Sequence, residues 1–232
     1  MPARGGSQRV PGKNVLPLAG HLLIAYTIAA ALESGVFAAV VCSTDSPEIA
    51  EVGASYGAEV PGLRPAELAT ATSSDIEWVL HVMRRRDEEL FAILRPTSPF
   101  RGAETIRRAH SQLVALDGRA DSVRAVEPAR QHPGKMWVVD GDVMRPLLDQ
   151  PAGETPLHSR QYQALPKVYV QNSSLEFAWS HVLEGPLPTI SGMRVAPFFT
   201  EGTEGFSIDY PDDVLVAERM VERGEARLPT VR

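Results

Sequence analysis

The residues best suited to chemistry crowd into the opening stretch Pro2 to Asn14, PARGGSQRVPGKN. Gly5, Gly6 and Gly12 permit backbone conformations that turn several N–H groups toward one point, and such a nest holds phosphate oxygens. Arg4 and Arg9 add planar forks and Lys13 a point charge around it. The spacing excludes a P-loop, which needs four residues between its glycines and then Gly-Lys-Ser/Thr. Here five residues separate Gly6 from Gly12, and Asn14 follows Lys13 in place of a hydroxyl residue.

Charge distribution points the same way. The 232-residue chain carries a net charge of −6, yet no Asp or Glu precedes Glu33. The first 32 residues are therefore +3 and the rest −9, and lysine is rare, three against twenty arginines. A small cationic end on an acidic chain suits a compact anion such as a nucleoside triphosphate, and argues against nucleic-acid binding. The single cysteine, Cys42, excludes an internal disulfide and a cysteine-based zinc site, and fits a reducing cytoplasm. His21, His81, His110, His132, His158 and His181 show no metal-ligand spacing. Residues 22–32 (LLIAYTIAAAL) are too short to span a membrane, and no cleavage pattern of a signal peptide surrounds them.

The elements that must position the loop alternate. Apolar periodicity predicts helices over 21–34, from Pro47 to Gly57, over 73–86 and over 103–116. Buried strands are expected at 36–43, 90–95 and 122–127, with a short one ending at Val60. This alternation implies an α/β fold, a doubly wound, mostly parallel sheet. After Pro128 the pattern changes. Residues 136–139 and 143–148 flank Asp140-Gly141-Asp142 as a hairpin, 149–166 read as loop, and 167–179 as strand. Phe206 to Asp209 is expected as a last short strand before a closing helix over 212–224, with Asp212 and Asp213 at its N-terminus. The whole is one domain, 1–232, with an inserted β-rich arm over 130–175.

The opening loop closely resembles the signature PARGGSKRIPGKN of the acylneuraminate cytidylyltransferases, the CMP-sialic acid synthetases. Further blocks follow in order: residues 42–45 (CSTD), 56–68 (YGAEVPGLRPAEL), 94–101 (LRPTSPFR), Gln131 to Lys135 (QHPGK) with Arg160-Gln161, Leu165-Pro166 and Asn172, and Ile208 to Pro211 with Asp213 and Ala217-Glu218. The resemblance covers about 215 residues and implies a nucleotide-diphospho-sugar transferase-like fold. It implies transfer of CMP from CTP to the anomeric hydroxyl of a nine-carbon, sialic-acid-like nonulosonic acid, releasing pyrophosphate. On the same footing Arg4, Lys13 and Asp209 are the catalytic candidates. Ala3, Arg4, Gly5, Gly6, Ser7, Lys13, Asn14, Arg64 and Ser74 are the nucleotide-binding candidates. Arg95, Lys135, Arg160, Gln161 and Asn172 would meet the sugar, and Asp209 would hold Mg²⁺. The family is typically dimeric, its arm crossing to the neighbour's site.

The chain departs from the family pattern at several positions. Gln8 stands for a lysine, Ala71 for an acid, Arg95 for a glutamine and Val170 for an arginine. Ser173 stands for the glycine of an Asn-Gly pair, and Ser207 for the first aspartate of the IDID form. The family also has a hydrophobic strand ahead of PARGGS, which is expected to be missing if the chain starts at Met1. The CTP half matches better than the sugar half. Two alternatives stay open: a same-fold nucleotidyltransferase for another sugar or nucleotide, and a degenerate nucleotide-binding relative without turnover.

Overall fold

The apolar run after Leu22 forms helix α1 (Leu23–Ser34), which stops where Gly35 adopts φ 68°. Apolar and small residues on nearly all its faces are buried, as befits a helix inside a layered core. The computed structural model describes residues 1–7, 9–150 and 152–231. They divide into two compact units, residues 1–125 with 172–232, and residues 126–171.

In the first unit, α2 (Pro47–Ser55) starts with Ser46 Oγ accepting the Ile49 N–H at 3.3 Å and Pro47 in the first turn. Strand β3 (Leu90–Leu94) lies antiparallel to β7 (Tyr169–Trp179), with Leu94 opposite Leu175. Beyond β7 come β4 (Ser122–Pro128) and β8 (Val195–Phe199), in the order β3-β7-β4-β8. One face of this sheet packs Leu94, Val123, Leu175 and Phe177 against α1 and α4 (Ala103–Ala115) through Ile24, Ile28, Ile106 and Leu113. The opposite face sets Phe91, Ile93 and Ala178 against Trp78 and Val79 of α3 (Asp75–Met83). Alternate residues of β3 thus serve opposite layers, and helices cover both faces: the α/β, doubly wound arrangement.

The strands expected at 36–43 and ending at Val60 do not form as ladders: the first segment bends at Ala38 and joins its neighbours only by isolated parallel bridges, Val41 with Glu59 and Ser43 with Pro2. Gly53 of α2 comes so close to this segment that a Cβ there would stand 3.2 Å from Cys42. An apolar cavity of about 520 Å³ separates residues 36–41 from β3.

Two further expectations need correction, and one strand was not expected at all. The helix expected from His21 begins at Leu23, because His21–Leu22 (β2) pairs antiparallel with Pro17–Leu18 (β1) around Ala19 and Gly20, both at positive φ. No strand forms at 206–209; the Ile208 N–H bonds to the Thr97 carbonyl at 2.8 Å without a ladder. The unforeseen β8 is fastened instead near β4, where Asp121 accepts the Met193 and Arg194 N–H groups at 3.0 and 2.8 Å and the Arg194 guanidinium at 2.6 Å. The Arg194 guanidinium above all, joined by these N–H groups, holds the Asp121 carboxyl well below its usual range.

The closing helix α5 (Pro211–Glu222) is capped by Asp213, which accepts the N–H groups of Asp209 and Tyr210 at 2.8 and 2.7 Å. In the second unit, β5 (Trp137–Asp140) and β6 (Val143–Pro146) make the expected antiparallel hairpin, with Gly141 at φ 60° in its turn. Short 3₁₀ turns, Leu157–Ser159 and Tyr162–Ala164, fill the stretch expected as loop.

Candidate active site

The opening loop is built on its own backbone. The Ala3 N–H donates to the Ser43 carbonyl at 2.9 Å and Ala3 is fully buried. The Gly5 N–H donates to Asp45 Oδ1 at 2.9 Å, and a Cβ on Gly5 would crowd Ser46 at 3.3 Å, so this glycine allows the loop to press on the start of α2. Gly12 takes φ 63°, and the buried Asn14 turns back to donate from Nδ2 to the Arg4 carbonyl at 3.0 Å. Asn14 therefore ties the two ends of the loop together.

From this frame the cations reach into one cleft of about 420 Å³, which Arg4, Ser7, Arg9, Lys13 and Asn14 line together with Asp209. Lys13 Nζ lies 3.3 Å from Asp209 Oδ1 and 3.0 Å from the Ile208 carbonyl, its side chain 13% exposed against 32% for Asp209. Arg9 reaches the same oxygen at 3.5 Å and lies over the Tyr210 ring, 5.3 Å from its centroid. Arg4 Nη1 donates to the Thr70 carbonyl at 2.5 Å. The cation-bearing start and the late carboxylate, far apart in sequence, thus share one hollow.

The opposite wall comes from Arg64, Thr70, Ser73, Asp75, Trp78, Arg95 and Thr97. Arg64 is buried: Nε donates to Ser43 Oγ at 3.0 Å, Nη2 to the Ser43 carbonyl at 2.6 Å, and the guanidinium lies over the Trp78 ring. Burial lowers its pKa, with Asp45 and Asp75 acting against that shift. Arg95 follows β3, and its Nη2 donates to Asp75 Oδ2 at 2.6 Å and Glu176 Oε1 at 3.4 Å. Arg101 fixes the turn after β3: fully buried, it donates to the Ser174 carbonyl, to Thr27 Oγ1 at 2.8 Å and to the Arg95 carbonyl at 3.3 Å.

Five basic side chains (Arg4, Arg9, Lys13, Arg64, Arg95) face two carboxylates (Asp75, Asp209) along this cleft. That balance suits a multiply charged anion, and the larger apolar cavity beside β3 does not.

The other sequence candidates are placed as follows. Gly6 has open space where a side chain would be, on the loop beside Ser7. Ser74 caps α3, its N–H donating to Glu77 Oε2 at 2.7 Å, while its neighbour Ser73 lines the cleft. Asn172 donates to Thr200 Oγ1 at 3.0 Å and accepts the Ser174 N–H, and its neighbour Ser173 lines the cleft. In the second unit, Lys135 Nζ donates to the His158 and Arg160 carbonyls at 3.2 and 2.7 Å. Arg160 donates to the Thr155 carbonyl at 2.7 Å and to Glu154 at 2.6 Å, and Gln161 precedes a 3₁₀ turn. Asp75, Trp78 and Thr97 were not among the sequence candidates; the run Ser73-Ser74-Asp75 before an apolar helix was the signal for the first two, and the matching block 94–101 for Thr97.

An α/β layered sheet with a cation-lined cleft beside its opening loop defines a nucleotidyltransferase-like enzyme. The family model described as cytidylyltransferase matches residues 1–132. The chain belongs to the cytidylyltransferase family. It is 35% identical over 242 residues to the CMP-N,N'-diacetyllegionaminic acid synthase of Legionella pneumophila, covering 98% of this chain and 97% of that protein. It is 46% identical over 110 residues to the N-acylneuraminate cytidylyltransferase of Escherichia coli, covering 47% of this chain and 26% of that protein. Among solved structures, the CMP:2-keto-3-deoxy-manno-octonic acid synthetase complexed with CTP superposes with a TM-score of 0.67 at 15% identity, over 96% of this chain and 97% of that one, a likeness of fold.

Proposed function

We propose that this enzyme transfers CMP from CTP to the anomeric hydroxyl of a sialic-acid-like nonulosonic acid and releases pyrophosphate. The carrying observation is the single cleft into which Arg4, Arg9 and Lys13 project beside Asp209. Its support in relatives is the 35% identity over nearly the whole chain to a synthase whose product is a CMP-linked acid of this class.

In the reaction the sugar oxygen forms a bond to the α-phosphorus while the bond to the β-phosphate oxygen breaks. The hydroxyl proton passes to solvent water, and charge builds on pyrophosphate. Arg4, Arg9 and Lys13 hold the triphosphate and meet that charge as it develops. The loop N–H groups and Asn14 fix the tail, and Arg64 bounds the ribose and base side. Arg95, Lys135, Arg160, Gln161 and Asn172 are assigned to the acceptor sugar.

The donor set fits magnesium in one form. Among the described residues no three His, Cys, Asp or Glu side chains gather, so an all-protein cage is not available. Asp209 is a half-exposed carboxylate on the cation-lined cleft, and Mg²⁺ binds through one or two carboxylates completed by phosphate oxygens and water. Bound there, magnesium would neutralise phosphate charge; Lys13 holds the Asp209 carboxylate at the cleft, 3.3 Å from its Nζ.

The second unit exposes Val139, Val143, Met144 and Leu147. Such apolar surface supports a homodimer formed through the arm, and light scattering of the chain is expected to give twice the 25.2 kDa mass. No helix among the described residues is long and apolar enough to cross a membrane; together with a CTP substrate and a free Cys42, this supports a cytoplasmic enzyme. The test supplies CTP, magnesium and a panel of neuraminic, legionaminic, pseudaminic and 3-deoxy-octulosonic acids and follows pyrophosphate. Release with a nonulosonic acid is expected. Release only with the octulosonic acid, or none with any acceptor, would contradict the proposal.

A further inference from the structure

Asp75 is absent from the residues assigned to substrate, yet it holds two other residues of the cleft wall, Trp78 and Arg95. It opens α3, and its Oδ1 accepts the Trp78 indole N–H at 2.8 Å. The Arg95 fork closes on the same carboxylate, Nη2 to Oδ2 at 2.6 Å and Nη1 to Oδ1 at 3.4 Å. Trp78, buried at 5% exposure, carries the Arg64 guanidinium 5.3 Å from its ring centroid. Beyond Arg95, Glu176 accepts from Arg95 and, through its other oxygen, from Arg124 at 2.5 Å. Charges alternate from Asp75 and Arg95 on the wall to Glu176 and Arg124 beyond it, and Trp78 joins that row to Arg64.

An aspartate in the first turn of a helix is favourable with no partner at all, and such a residue is free to face water. Here it does not. Burial opposes ionisation of Asp75, and the Arg95 hydrogen bonds and charge, the Trp78 N–H and the Arg64 charge together outweigh it, so the carboxyl stays below its ordinary range. Burial likewise opposes the Arg95 charge, and Asp75 with Glu176 overcomes it.

We propose that Asp75 is a positioning residue that sets two arginines at once, Arg64 through the Trp78 ring and Arg95 through a direct two-point pair. The inference rests on the reading of the cleft as a CTP site. Its consequence concerns specificity: Asp75 and Glu176 fix the direction of the Arg95 guanidinium, so the acceptor meets a fork of set orientation where a freely turning cation would otherwise stand.

The test compares Asp75→Ala, Asp75→Asn, Arg95→Gln and Trp78→Phe by CTP calorimetry, tryptophan emission and acceptor KM. Asp75→Ala is expected to weaken CTP binding about tenfold, the loss of a hydrogen bond that orients a charged group, and to raise the acceptor KM. It also shifts the component of emission that Trp78→Phe removes. Asp75→Asn still accepts the indole N–H through Oδ1 but sets a donor amide against the Arg95 fork, so it restores CTP affinity to within about threefold while Arg95 loses its orientation and the acceptor KM stays raised. Arg95→Gln added to Asp75→Ala raises acceptor KM little further, because the pair acts as a unit.

Wild-type CTP affinity and emission in Asp75→Ala would overturn the proposal, as would equal damage to both affinities in the Ala and Asn variants. If Asp75→Ala does not fold, the split between CTP affinity and acceptor KM in Asp75→Asn decides alone. Failure of the unaltered protein to bind CTP would contradict the reading of the cleft itself, and the emission shift would still report whether Asp75 holds Trp78.

Discussion

Lys13 crosses 196 positions of sequence to meet Asp209, whereas Lys135 and Arg160 spend their N–H groups on carbonyls within 25 positions of themselves. The first unit keeps cations on a wall whose carboxylates are few, and fastens the loop beneath them by backbone bonds from Ala3, Gly5 and Asn14. The second unit uses its cations to brace its own short turns. A cation held over a cleft by long-range folding is available to a substrate that carries charge. One that satisfies neighbouring carbonyls stabilises a local shape first, and offers a ligand what remains.

The sharpest consequence is at Lys13. Lys13→Ala is expected to lower kcat/KM for CTP by at least about 100-fold, the scale of losing one donor to developing charge. Lys167→Ala, in the second unit, is expected to stay within about twofold. Equal effects in steady-state pyrophosphate assays would erase the distinction between the units. Next in size, Arg160→Ala is expected to raise the acceptor KM about tenfold and leave the CTP KM in place, since a charge-assisted hydrogen bond contributes roughly 1.5–3 kcal/mol. A matching rise in the CTP KM would mean that the second unit serves the nucleotide too.

This contrast also marks what could be read from the chain. The opening loop was legible because a phosphate nest is made from neighbours in sequence: three glycines, two arginines and a lysine within one short stretch. The helices over 47–55 and 103–115 were legible from apolar spacing and from Ser46-Pro47. The Asp75–Arg95 pair was not, because it joins a helix start to a strand end 20 positions away and nothing local requires it. Arg95 was expected only to meet the sugar, and the fold also pairs it with two internal carboxylates.

Strand assignment failed for similar reasons. Val195–Phe199 has strand formers in Val195, Phe198 and Phe199, but Pro197 interrupts them and the exposed Val195 and Phe199 are apolar, so no polar–apolar alternation marks the strand. At 206–209 the apolar Phe206 and Ile208 resemble a strand, but their side chains bury against α1 and α5 while the backbone makes one cross-chain bond to Thr97. Burial and ladder formation are separate events, and composition reports the first.

Calorimetric titration of CTP into the unaltered protein and into Lys13→Ala, with magnesium present, asks whether the glycine-bearing start of the chain grips the nucleotide. Saturable binding that Lys13→Ala weakens by about tenfold to a hundredfold is the expected result, the range for one charge-assisted contact. No heat from the unaltered protein, or the same affinity in both, would contradict it.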